Sequence, residues 1–314
     1  KEALRIPTEN EILGNMGSLD ITLSSTALVG LDKAFRFYGS NPYFCMEQRA
    51  SAFQLAITSG QMLQSFAVKP AATDNYDFGQ IESLFLGEMH EFVNADGGLR
   101  FWKKNKFQNE ESSPYLSAYV LTVLQAAETK KFRGDAAIRK GIVAYLEKFL
   151  RSEMKGDKAS ILENLALIHL ALTREGASRS DLTKYLLQNE AALSTRAKAR
   201  LALAIAHKEK LRSYAENTDV KRLVDYFKNR LEVTTTSVIL KETPDAALRQ
   251  SFYSSTSALA LVLQVFIELD RDNPLIPQMV NHLLREQTSY DTHSIGLSAT
   301  ALDSYRTVFE AGGQ

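Results

Sequence analysis

The only cysteine of the 314 residues, Cys45, stands three positions before Gln48, with Glu47 between them and Tyr43, Phe44 and Met46 alongside. At that spacing a single helical turn places the thiol and the carboxamide on one face. Three readings are open, one of them Cys45 as a catalytic nucleophile. Loss of ammonia would join the Cys45 sulfur to the Gln48 carbonyl carbon as an internal thioester. Thiolate stabilises an acyl group poorly and leaves readily, so the bond would acylate any amine or hydroxyl that reached it. Alternatively, Cys45 is a packed core thiol, a common fate of a lone cysteine. Glu47 would support the ring by hydrogen bonding or by orienting the Gln48 carbonyl, or would sit solvated in a first helical turn, where the dipole favours it. Tyr43, Phe44 and Met46 would shield the bond from water, or serve as ordinary core.

Other chemistry finds little support. His90, His169, His207, His282 and His293 are scattered, and one thiol is too few for a structural zinc, so no metal site is expected. No cofactor is expected either: Gly97-Gly98 lacks the strand and helix context of a dinucleotide site and reads as a turn. His169 shares an apolar helical face with Leu165, Ile168 and Leu172 and reads as a packed histidine. Lys plus Arg and Asp plus Glu are 37 each, a balance that offers no footprint for nucleic acid or an anionic membrane. No apolar run is long enough to span a bilayer.

The elements that must position Cys45 and Gln48 are mostly helical. Residues 1–24 alternate apolar and polar around Gly14 and Gly17, suiting short strands that need a partner sheet from elsewhere. From there, apolar spacing and punctuation predict helices over 26–38, 45–66, 77–93, 114–129, 135–154, 158–174, 180–188, 194–208, 218–230, 254–270, 274–285 and 294–311. The β-branched run 233–240 predicts a strand or short hairpin. About twelve helices of similar length on short turns suggest stacked hairpins, and six hairpins can close as an (α/α)6 toroid. The expected class is therefore all-α, with residues 1–24 a β lead-in and 25–314 one helical domain. The chain reads as a piece of a longer protein.

Pro42-Tyr43-x-Cys45-x-Glu47-Gln48 closely resembles the thioester motif of the alpha-2-macroglobulin and complement superfamily. Asp96-Gly97-Gly98-Leu99-Arg100-Phe101-Trp102 resembles the Asp-Gly-Gly-aromatic-x-x-Trp loop of bacterial macroglobulins, and Ser113-Pro114-Tyr115-Leu116-Ser117-Ala118-Tyr119-Val120 the helix start that follows it. Ser254 to Leu261 and Glu286-Gln287 through Thr300 echo late helices of the family, so the resemblance runs from about residue 24 to the C-terminus. One departure is Phe44, where many relatives carry glycine. A phenylalanine at positive φ would be costly there, although bacterial relatives admit other residues.

The resemblance implies the toroidal thioester domain of a broad-spectrum protease inhibitor, periplasmic, envelope-bound or secreted in its parent. Cleavage of a bait region by a protease would expose the Cys45–Gln48 bond, and a protease lysine would be acylated by Gln48. That is one-shot trapping and not turnover. Residues 1–24 would belong to a neighbouring β domain of the parent. Histidine is absent between His90 and His169, so the amine-preferring branch is implied. A single cysteine precludes an internal disulfide and favours a bacterial member. Two other readings stay open: an (α/α)6 enzyme such as a glycosidase or terpene-cyclase-like protein, and a degenerate relative acting only as a binding scaffold. Asp270-Arg271-Asp272, in a loop before Pro274, is the nearest approach to the carboxylates an enzyme would need.

Overall fold

A computed structural model describes residues 31, 34, 45–65, 78–105, 110–152, 158–234, 237–242, 246–285 and 291–310. The expected lead-in, most of the 26–38 helix, Pro42, Tyr43 and Phe44 lie outside the described residues. Helices α1 (Met46–Ser65), α3 (Pro114–Thr129), α5 (Lys158–Arg174), α7 (Thr195–Glu209), α9 (Ser255–Leu269) and α11 (Thr292–Tyr305) pack in succession, and α11 closes back on α1. Between them run α2 (Phe78–Glu82), α4 (Ala136–Phe149), α6 (Ser180–Gln188), α8 (Thr218–Arg230) and α10 (Ile276–Arg285), each against the odd-numbered helix before it. Among the described residues, the result is an inner ring of six helices with an outer partial ring. This is the all-α architecture expected.

Sequence explains which helix goes where. In α8 the buried residues are Val220, Leu223, Val224 and Phe227, and in α10 they are Ile276, Met279, Val280 and Leu283. Both follow the i, i+3, i+4, i+7 stripe of a helix with one wet face. Helix α9 is instead buried continuously from Ser257 to Ile267 and α7 from Thr195 to Ala206, which requires neighbours on every side. Alanine in α7 at 197, 199, 202, 204 and 206 lets those neighbours approach.

Caps fix the starts. Ser113 accepts from the Leu116 N–H with Pro114 at the first helical position, Ser194 from Ala197, Ser254 from Ser257, and Asp291 from His293 and Ser294. The expected 77–93 helix is broken in three: α2, a π-helical turn Ser83–Gly87 and a 3-10 turn Met89–Phe92. Arg49 Nη1 takes the Leu84 carbonyl at 2.7 Å, an inserted side chain of the kind that disturbs the regular helical ladder. The β-branched run forms an antiparallel hairpin, β1 (Leu231–Val233) and β2 (Val238–Leu240), continuing directly from α8. No described helix is long and apolar enough to cross a membrane.

Candidate functional site

The first turns of the inner helices meet at one end of the ring. Tyr115 at the start of α3 bonds His293 of α11 at 2.8 Å, and Arg196 of α7 bonds Ser257 of α9 at 3.2 Å. Thr292 of α11 donates to Glu47 of α1 at 2.8 Å. The helix dipoles therefore point their positive ends at a common floor, which suits the acidic side chains collected there.

Cys45 opens α1 at this floor. The Gln48 N–H lies 3.5 Å from Cys45 Sγ, so the two residues occupy the N-cap and N3 positions. This is the spacing of a capping box, in which the N3 side chain reaches back towards the cap. The backbone is pinned from outside the helix as well. Met46, fully buried, donates its N–H to the Phe101 carbonyl at 2.8 Å. Phe101 belongs to the loop that opens at Asp96-Gly97-Gly98, and Glu110 stiffens that loop by accepting from the Phe101 and Trp102 N–H groups at 2.9 and 3.2 Å. Beside this turn is a groove of about 740 Å³, lined by Arg49, Leu84, Glu88, Trp102, Lys103 and Lys104.

Burial pushes the Cys45 thiol up from an ordinary 9.0 to about 11, against the opposing Gln48 N–H contact. A thiolate is thus disfavoured here, whereas a neutral acyl form carries no charge to desolvate. With Cys45 free, alkylation by iodoacetamide should be slow at pH 8 and rise with an apparent pKa near 11 in the folded protein, against about 9 after unfolding. Above pH 9 the unfolded chain loses its proton first, so folding stability from this group falls as pH climbs towards 11.

Glu47 is not a solvated helix-end carboxylate. It is 2 % exposed, accepts from Ser51 Oγ at 2.7 Å and from Thr292 Oγ1 at 2.8 Å, and faces His293 Nδ1 at 3.6 Å. Burial raises its pKa, with both hydroxyls opposing. Ser51 of α1 and Thr292 and His293 of α11 hold it, so it ties the first turn of α1 to the ring's closing helix. The Tyr119 hydroxyl, 2.7 Å from Ser51 Oγ and 3.0 Å from Gln54 Oε1, extends the network inward.

Behind it stands a second charged group that spacing did not disclose. Glu163 accepts from Arg196 Nε at 2.6 Å and Arg200 Nη1 at 2.5 Å in the interior, and from half-buried Ser194 Oγ at 2.5 Å. Arg196 also caps the carbonyls of Ser251 and Phe252 at 2.6 and 2.9 Å. Phe252 is held at φ 52°, a left-handed conformation that costs a bulky residue energy. Its ring lies 5.9 Å from both Phe101 and His293, linking the Asp-Gly-Gly loop to α11. The sequence signals were slight: a lone acid in the apolar face of α5, and two arginines four apart in an alanine-rich helix. Of the other histidines, His90 is exposed against the Gly87 carbonyl, and His169 is buried against Thr183 at 2.9 Å. Among the described residues no three His, Cys, Asp or Glu side chains converge as metal ligands would.

A closed ring of inner helices with a polar floor, carrying Cys-x-x-Gln at one inner N-terminus, is the class this structure defines. The same fold occurs in bacterial alpha-2-macroglobulins. Native Escherichia coli alpha-2-macroglobulin, from domain MG7 to its C-terminus, matches with TM-score 0.64 and 15% identity over 88% of this chain and 42% of that one. Salmonella alpha-2-macroglobulin reacted with methylamine gives 0.67 and 15% over 89% and 18%. Trypsin-activated Escherichia coli alpha-2-macroglobulin gives 0.61 and 18% over 84% and 17%. This chain therefore spans less than half the length of each of these. No protein-family model and no curated protein matches its sequence.

Proposed function

We propose that this chain is the thioester-bearing domain of a bacterial alpha-2-macroglobulin-like protease inhibitor. The carrying observation is the N-cap and N3 placement of Cys45 and Gln48, with Sγ 3.5 Å from the Gln48 N–H and the turn pinned through Met46 to Phe101. The Cys45 thiol adds to the Gln48 carboxamide carbon, the C–N bond breaks and ammonia leaves. A lysine amine of an attacking protease later displaces the Cys45 sulfur, forming an amide to Gln48 and freeing the thiol. Each molecule acts once, so this is trapping and not turnover. Likeness to structures described as activated by trypsin and by porcine elastase supports proteases as the partners. In this reading residues 25–314 form the domain, and residues 1–24 join it to a β domain of the parent. The parent resides in the periplasm or cell envelope, or is secreted.

Intact mass of fresh protein, with and without methylamine, tests this. A mass one ammonia below the sequence value, rising by one methylamine as a thiol appears, is the expected result. One water above the thioester mass would mark a bond formed and then hydrolysed. Cys45→Ala should show neither change and form no covalent trypsin conjugate, with its thermal midpoint close to the parent's. A sequence mass indifferent to amine would overturn the reading in favour of a binding scaffold.

A further inference from the structure

His293 is fully buried and caged by Tyr119, Tyr115 and Phe252, with ring centroids 4.3, 5.7 and 5.9 Å away. One nitrogen, Nε2, meets the Tyr115 hydroxyl at 2.8 Å. The other, Nδ1, makes no hydrogen bond and points at Glu47 Oε1 from 3.6 Å. A buried polar atom left unpartnered at that range calls for an explanation. Arg196 and Arg200 lie 5.8 Å from the Tyr115 ring, so their charge favours Tyr115 as donor to Nε2. That leaves the proton of the neutral imidazole on Nδ1, facing the carboxylate. Glu47 is then held from three directions: by Ser51 within α1, and by Thr292 and His293 from α11.

We propose that His293, acting through Glu47, is a positioning residue for the reaction between Cys45 and Gln48. Glu47 sits between the two reacting residues, so fixing its carboxylate fixes the rotation of the first turn of α1. The cage prevents the imidazole from turning away, and Tyr115 sets its tautomer. Closure of the ring then needs only a few tenths of an ångström of adjustment to bring the Nδ1–H into hydrogen-bonding range of Glu47. His293 touches neither reacting atom in this scheme; it holds the group that orders them.

This inference rests on the thioester reading above, and the two can fail separately. Asparagine places an amide nitrogen near the Nδ1 position, whereas glutamine reaches towards Tyr115 in place of Nε2. Fresh His293→Asn should therefore keep most of the ammonia-deficient mass. His293→Gln and His293→Phe should lose it at least fivefold, while His293→Gln keeps the parent's thermal midpoint. Equal thioester in all variants, or equal loss in all three, would overturn the role of Nδ1. Should the parent itself carry the sequence mass, the thioester reading has failed, and Cys45 alkylation becomes the readout. Slow reaction in parent and His293→Asn with fivefold faster reaction in His293→Gln would sustain the positioning role; equal rates would sink it.

Discussion

Replacing Glu163 with glutamine should lower the free energy of unfolding by about 3–5 kcal/mol, the cost of stripping one partner from a buried charge cluster. Glu163 is fully buried and faces two guanidinium groups, Arg196 and Arg200, themselves 0% and 1% exposed. Burial alone would raise its pKa, but the two arginines outweigh that and hold the carboxyl below the ordinary range. An amide leaves both positive charges uncompensated beneath the floor. Arg200 is already under-served, since its Nη2 has no hydrogen-bond partner. Adding Arg200→Met to Glu163→Gln should therefore recover part of the loss, because Arg196 still serves the Ser251 and Phe252 carbonyls. Urea midpoints of the two singles and the double give the coupling. Simple additivity would mean that the three groups do not act together.

The same cluster sets an acid limit. A carboxyl whose folded pKa is depressed contributes stability above its unfolded value and loses it as pH falls through the folded one. For Glu163 the loss begins near the ordinary glutamate value of about 4.3 and continues below it. Steeper acid unfolding in the parent than in Glu163→Gln is the corresponding observation.

How much of this was legible beforehand varies by residue. Local signals sufficed for the helices: Ser113-Pro114, Ser194 and Ser254 announce their starts, and the stripe from Val220 to Phe227 announces a wet outer face. The placement of Cys45 and Gln48 on one turn was legible because a three-residue spacing is local to the helix start. Six hairpins suggested that a ring closes, but not which residues meet where it does, since the packing of α1 on α11 joins residues some 245 apart, as in the Glu47–Thr292 bond. For the same reason Glu47 could not be told from a surface carboxylate. Its first-turn position predicts exposure, and only the arrival of Thr292 and His293 from the far end of the chain buries it. Glu163, Arg196 and Arg200 were hidden for a related reason. Charged residues in an alanine-rich helix look like a solvated face until every side of that helix is found covered. The break of the 77–93 helix depends on Arg49, about 35 residues away, reaching the Leu84 carbonyl.

The loop that receives the Met46 N–H offers a sharper test of how the Cys45–Gln48 turn is held. Gly97 adopts φ +85°, and a Cβ there would meet the Gly141 carbonyl oxygen of α4 at 2.6 Å. Backbone cannot yield as a flexible side chain can, so Gly97→Ala combines a disfavoured conformation with a clash. The two together should destabilise by roughly 2–4 kcal/mol. Gly141 faces the same contact from the other side, yet a Cβ on it would lie 3.6 Å from Gly97 Cα, an ordinary contact. Because Gly141 is in a helix interior, Gly141→Ala should be neutral or stabilise by up to about 1 kcal/mol. The asymmetry reaches the site because Phe101 follows Gly97 in the same loop and its carbonyl takes the Met46 N–H at 2.8 Å. Gly97→Ala should therefore also reduce the ammonia-deficient fraction of fresh protein, while Gly141→Ala leaves it unchanged. A destabilised Gly97→Ala with a full complement of thioester would show that the Asp-Gly-Gly loop supports the fold without holding Cys45 against Gln48.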